Sequence, residues 1–169
     1  MARLKVFKNR RQAGELLAER LDAYAGHSDA ILLALPRGGV PVAFAVSRKL
    51  DIPLDILIVR KLGVPGHAEY AMGAVASGGL RVLQQDVLDT LDIPPAVVEA
   101  ITQRELREIE RREALYRDDR PAPSLHDRIV ILVDDGLATG STMLAAMRAV
   151  RQEEPKRIII AVPVAAPDT

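Results

Sequence analysis

Two adjacent carboxylates, Asp134 and Asp135, stand directly before a run of small and hydroxyl-bearing residues, Gly136-Leu137-Ala138-Thr139-Gly140-Ser141-Thr142. Carboxylates in that position accept hydrogen bonds from sugar hydroxyls, directly or through Mg²⁺. The glycines allow close backbone approach, and the hydroxyls add donors for an anion. Two like charges side by side repel, a cost that a purely structural loop avoids. The run therefore reads as a site for a phosphorylated sugar.

The flanking residues supply the frame. Ile129 to Val133 is a continuous apolar run rich in β-branched residues, the pattern of a buried strand in a parallel sheet. From Ser141 to about Gln152, Met143, Leu144, Met147 and Val150 recur at helical spacing. The loop therefore joins a strand end to a helix start, where backbone N–H groups and the helix dipole favour an anion.

A second cluster, Leu35-Pro36-Arg37-Gly38-Gly39-Val40, has the same setting. Ala30 to Leu35 reads as a strand and Val40 to Leu50 as a helix, so the turn lies where open α/β sheets bind ligands. Arg37 offers a planar cation suited to phosphate oxygens, and Gly38 and Gly39 expose backbone amides, so the turn is suited to pyrophosphate. A third cluster is Val59-Arg60-Lys61-Leu62-Gly63-Val64-Pro65-Gly66-His67-Ala68-Glu69-Tyr70. It reads as a strand end with two cations, followed by a glycine- and proline-punctuated loop able to close over a site.

Further elements follow from the same signals. Arg11 to Tyr24 forms a helix, Leu54 to Val59 a buried strand, and Ala71 to Ala76 with Leu80 to Leu83 a hairpin about Ser77-Gly78-Gly79. Pro94-Pro95 opens a long helix to Tyr116 or Arg117, and Arg157 to Val162 is another strand. Strands alternating with helices predict an α/β fold, a doubly wound, mainly parallel sheet flanked by helices, with a small hood or hairpin region.

Val-Asp-Asp-Gly-Leu-Ala-Thr-Gly-Ser-Thr resembles the phosphoribosyl pyrophosphate (PRPP) motif of the type I phosphoribosyltransferases. The resemblance implies that Asp134 and Asp135 meet the ribose hydroxyls and that Leu137 to Thr142 wrap the 5′-phosphate. It further implies a pyrophosphate loop at Arg37, Gly38 and Gly39, with a strained, cis peptide near Arg37-Gly38. The Arg-Lys-x-Gly and Glu-Tyr pattern is similar to the flexible loop of adenine-type members. It implies a pyrophosphate or loop-closure role for Arg60 and Lys61, and proton transfer with the accepting base for Glu69. Ala138 replaces the Asp that hypoxanthine-guanine enzymes carry there, which argues against a 6-oxopurine acceptor. The match reaches nearly the whole chain, through Phe7 to Arg10, Leu35 to Val40 and Val162 to Ala165. It looks closest to bacterial phosphoribosyltransferase-domain proteins of undefined acceptor.

The implied activity is Mg²⁺-dependent transfer of the 5-phosphoribosyl group from PRPP to a nitrogen base or related small acceptor, with release of pyrophosphate. The alternative is a non-catalytic PRPP or nucleotide sensor; Arg37, Arg60, Lys61 and Glu69 favour the enzyme, since a sensor needs no leaving-group apparatus. A cytoplasmic homodimer is expected, and one domain over residues 1–169. Members normally continue past the strand end at Val162-Pro163-Val164-Ala165, so the stop at Thr169 reads as a truncation. In the alternative, the base-selecting hood is built instead from Met1–Lys8 and segment 77–120.

Composition agrees with this. The 169 residues hold 23 basic and 23 acidic side chains, so no net field draws the chain to nucleic acid or a membrane. The absence of cysteine excludes disulfides and thiol chemistry, and His27, His67 and His126 are too scattered to suggest zinc. Residues 97–117 carry five Arg and five Glu, a pattern of ion pairs along a helix rather than an RNA-binding face.

Overall fold

The computed structural model describes residues 6–167, and the chain divides into two compact units. One is built from the chain up to Ile56, with Asp127–Thr139 and the segment from Lys156 onward; the other is built from Leu57–His126 and Gly140–Pro155. Residues Met1 to Lys5, part of the expected hood, lie outside the described residues.

The first unit is a four-stranded parallel sheet with two helices. Its strands β1 (Ala30–Ala34), β2 (Leu54–Ile56), β6 (Ile129–Val133) and β7 (Arg157–Ala161) run in the order β2-β1-β6-β7. Every residue of β1 and β6 is buried, which is why both read as unbroken apolar runs. Helix α2 (Gly39–Leu50) packs Val42, Ala43, Val46 and Leu50 into a core with Leu32, Ile131 and Val133. Helix α1 (Arg10–Arg20) packs on α2, and its start is fixed by Asn9, whose Oδ1 accepts from the Gln12 N–H at 2.9 Å. From β1 the chain steps to β2 on one side, and β6 lies on the other. The carboxyl ends of β1 and β6 are therefore a topological switch point of this sheet.

The second unit is a three-stranded antiparallel sheet, β3 (Val59–Val64), β4 (His67–Ala76) and β5 (Leu80–Leu83), with helices α3 (Gln85–Thr90), α4 (Pro95–Arg117) and α5 (Ser141–Arg151). This corrects two expectations. The segment 62–70, expected as a loop after the strand end at Arg60 and Lys61, is paired strand on both sides of a tight Pro65-Gly66 turn, with Gly66 at φ 77°. Its alternation of buried Leu62 and Val64 with exposed Lys61 is a strand period, and its glycines obscured that signal. The strand expected over Leu54–Val59 is two: the Ile58 N–H donates to Ser77 Oγ, and the Ser77 N–H donates to the Ile58 carbonyl, both at 2.9 Å, which ties Ile58 to the end of β4. The hairpin about Ser77-Gly79 is present as β4–β5.

Helix α4 buries Val98, Thr102, Glu105 and Ile109, one stripe at helical spacing. Its charged face is laced as expected, with Glu108 taking Arg111 at 2.9 Å and Arg112 at 2.7 Å, and Glu113 taking Arg117 at 2.5 Å. Arg111 first, then Arg112, hold the Glu108 carboxyl down at about 2. Among the described residues no helix is long and apolar enough to cross a membrane.

Candidate active site

The acidic pair sits immediately past β6, whose last residue, Val133, pairs with Ala34 at the end of β1. Past β1 the chain stays close, because the Leu35 N–H still donates to the Val133 carbonyl at 2.9 Å. The turn Pro36-Arg37-Gly38-Gly39 is then pressed onto the carboxylates. A Cβ on Gly38 would lie 2.1 Å from Asp135 Oδ2, and one on Gly39 would lie 2.6 Å from the Val133 carbonyl and 3.0 Å from Asp134 Cα. Gly39 is therefore required by the backbone at Val133 and Asp134, and Gly38 leaves the Asp135 carboxylate its place. The cis peptide in this turn joins Pro36 to Arg37, one residue before the bond expected to be cis. Arg37 is exposed at the turn.

Asp134 and Asp135 are both partly buried. Burial lifts Asp134 from its ordinary 3.8 to about 6, and the neighbouring Asp135 charge adds to the rise. The Asp135 N–H opposes it by donating to Asp134 Oδ1 at 2.8 Å. Beyond the pair, Leu137 is anchored: its N–H donates to the Val164 carbonyl at 3.0 Å, and its own carbonyl accepts from the Ala166 N–H at 2.9 Å. Gly136 lies against Val164, while Ala138 and Thr139 are exposed.

Arg10 joins the site although no local motif marks it. Arg10, the first residue of α1, donates through Nε at 2.9 Å and Nη2 at 2.7 Å to Asp135 Oδ2. The only trace of it in the sequence was the Phe7 to Arg10 match.

The remaining residues of the run, Gly140, Ser141 and Thr142, belong to the second unit and open α5. Gly140 is in the left-handed region at φ 73°, and Ser141 and Thr142 are exposed in the first turn. Lys61, on β3, donates through Nζ to Ser141 Oγ at 2.8 Å. Lys61, Glu69, Tyr70, Gln84, Ser141 and Arg148 are among the residues around a cavity of about 290 Å³ in this unit. Lys61, Glu69 and Ser141 thus line one cavity. Arg60 is placed differently: its guanidinium grips the buried Glu105 of α4 at 2.8 Å, and Arg104 holds the other oxygen of that carboxylate.

The sequence model of the phosphoribosyl transferase domain family matches residues 6–169. The chain belongs to that family. A Mycobacterium tuberculosis protein named "Putative phosphoribosyl transferase" is 42% identical over 165 residues, which is 98% of this chain and 37% of that protein. The chain thus spans little more than a third of that curated relative. The crystal structure of TT1426 from Thermus thermophilus superposes with a TM-score of 0.84 at 44% identity, covering 97% of this chain and 77% of that one. A purine phosphoribosyltransferase from Pyrococcus horikoshii shares the fold at 22% identity and a TM-score of 0.58, covering 98% of this chain and 78% of its own. The parallel sheet flanked by helices seen here is the fold of these structures.

Proposed function

We propose that the chain transfers the 5-phosphoribosyl group from PRPP to a nitrogen base or related small acceptor, in the cytoplasm and as a homodimer, with its two units forming one phosphoribosyltransferase domain. The observation that carries this reading is the acidic pair at the sheet's switch point, packed against the Gly38-Gly39 turn. In the reaction the acceptor nitrogen forms a bond to the ribose anomeric carbon as the bond from that carbon to pyrophosphate breaks. Asp134 and Asp135 accept from the ribose hydroxyls and fix the sugar's orientation. Leu137 through Thr142 receive the 5′-phosphate, supported by the exposed hydroxyls of Ser141 and Thr142 at the start of α5.

Charge builds on the departing pyrophosphate, and cations placed in advance lower that barrier. Arg37, Gly38, Gly39 and Lys61 are assigned to it; Arg60 joins them only by releasing Glu105. Glu69, exposed on β4 within a cavity shared with Lys61, takes the proton from the accepting nitrogen. Asp134 and Asp135 would hold Mg²⁺ indirectly or through the ribose hydroxyls, since their carboxylate oxygens are donors of the right type for that ion. When bound, Mg²⁺ supplies charge neutralisation for the phosphate oxygens.

Calorimetric titration with PRPP tests the reading. Saturable binding in Mg²⁺ that is lost in excess chelator supports it, and no binding in either condition overturns it.

A further inference from the structure

Asp135 is not left to find its own orientation. The Gly38 backbone stands so close that no Cβ fits beside the carboxylate. The Arg10 fork delivers two N–H groups to the same oxygen, Oδ2, at 2.9 and 2.7 Å. Arg10 is itself placed by local sequence. The Asn9 side chain caps α1 through Gln12, and the Lys8 N–H donates to Gln12 Oε1 at 2.7 Å, which fixes Arg10 as the first helical residue. The two partners are 125 residues apart in the chain, yet both belong to the first unit.

An ion pair of this exposure contributes little to stability; Arg10 and Asp135 side chains are 59% and 33% exposed. Its consequence is geometric. Two donors in a rigid plane select one side-chain orientation of the acceptor, which a single ammonium does not.

Resting on the assignment of PRPP to this site, we propose that Arg10 is a positioning residue: it holds the Asp135 carboxylate in the orientation that receives the sugar hydroxyls. Ligand binding then avoids the cost of ordering that side chain.

The test is a double-mutant cycle read by calorimetric titration of PRPP in Mg²⁺, using the parent, Arg10→Ala, Asp135→Asn and the double variant. Arg10→Ala is expected to weaken PRPP binding about 10-fold while the melting temperature stays within about 3 °C of the parent, and Arg10→Lys to recover only part of that loss. In the Asp135→Asn background, removing Arg10 should cost less than about 2-fold. An equal loss in both backgrounds overturns the proposal, because Arg10 would then act without Asp135. Unchanged binding by Arg10→Ala overturns it too. If the parent itself does not bind PRPP, the proposed function fails and this role fails with it.

Discussion

Replacing Gly38 with alanine separates the site from the scaffold. Gly38 has φ −62° and ψ −34°, a conformation that alanine adopts without strain. The added methyl would sit 2.1 Å from Asp135 Oδ2, 2.4 Å from its Cγ and 2.7 Å from Oδ1. Ordinary contact needs roughly 3.5 Å, so the carboxyl must retreat by more than about 1 Å. That movement breaks the Arg10 pair, a loss of about 0.5 to 1 kcal/mol at this exposure. The reduced freedom of the unfolded chain offsets it by about 0.4 to 1 kcal/mol. Net stability should hardly change, and the melting temperature should stay within about 4 °C. Ligand affinity should change far more, because a hydrogen bond to a charged group contributes about 1.5 to 3 kcal/mol, or about 10- to 150-fold in the dissociation constant. Parallel thermal scans and PRPP titrations of parent and variant decide it. Gly39→Ala is the control, since its methyl would meet the Val133 backbone carbonyl at 2.6 Å and cannot be relieved by a side-chain rotation; it should lose stability by about 1 to 3 kcal/mol. If Gly38→Ala binds PRPP as the parent does, the packing of Asp135 against this turn has no part in ligand binding and the reasoning is wrong.

Three further outcomes are expected. The double substitution Asp134→Asn with Asp135→Asn should abolish Mg²⁺-dependent PRPP binding and leave the circular dichroism spectrum and melting temperature nearly unchanged; retained binding would refute the site assignment. Glu108 is held below its ordinary 4.5 at about 2, so its pairs with Arg111 and Arg112 contribute above pH 4.5 and are lost as the pH falls through about 2. Melting temperatures of Glu108→Gln and parent should therefore differ near pH 6 and converge near pH 2. Leu32 is fully buried in β1 between two strands, so Leu32→Ala should cost about 2 to 5 kcal/mol in chemical denaturation, and a loss under 1 kcal/mol would deny it a core position.

The strand-turn-helix around the acidic pair was legible in the sequence because two local signals agree there: an apolar run of buried-strand length, then hydroxyls and a glycine at a helix start. The 23 residues of α4 were equally plain, announced by Pro94-Pro95 and closing where Asp118 turns left-handed. The β3–β4 hairpin was hidden because Gly63, Pro65 and Gly66 are loop residues by composition, while strand pairing is decided by a partner segment. The six residues of α3 carry too few apolar positions to declare a period. Arg10 with Asp135 and Arg60 with Glu105 were out of reach for a simpler reason. Charge pairs 125 and 45 residues apart leave no local spacing to read.

The central claim, that this chain is a working transferase, is tested most directly by phosphorus NMR of PRPP incubated with the protein, Mg²⁺ and a panel of purine, pyrimidine and related nitrogen bases. At least one base is expected to bring out the pyrophosphate resonance together with a new nucleotide phosphate resonance, in equal amounts, while the Asp134→Asn, Asp135→Asn variant produces neither. Tight PRPP binding with no pyrophosphate released for any base would contradict it and leave a protein that senses PRPP without consuming it.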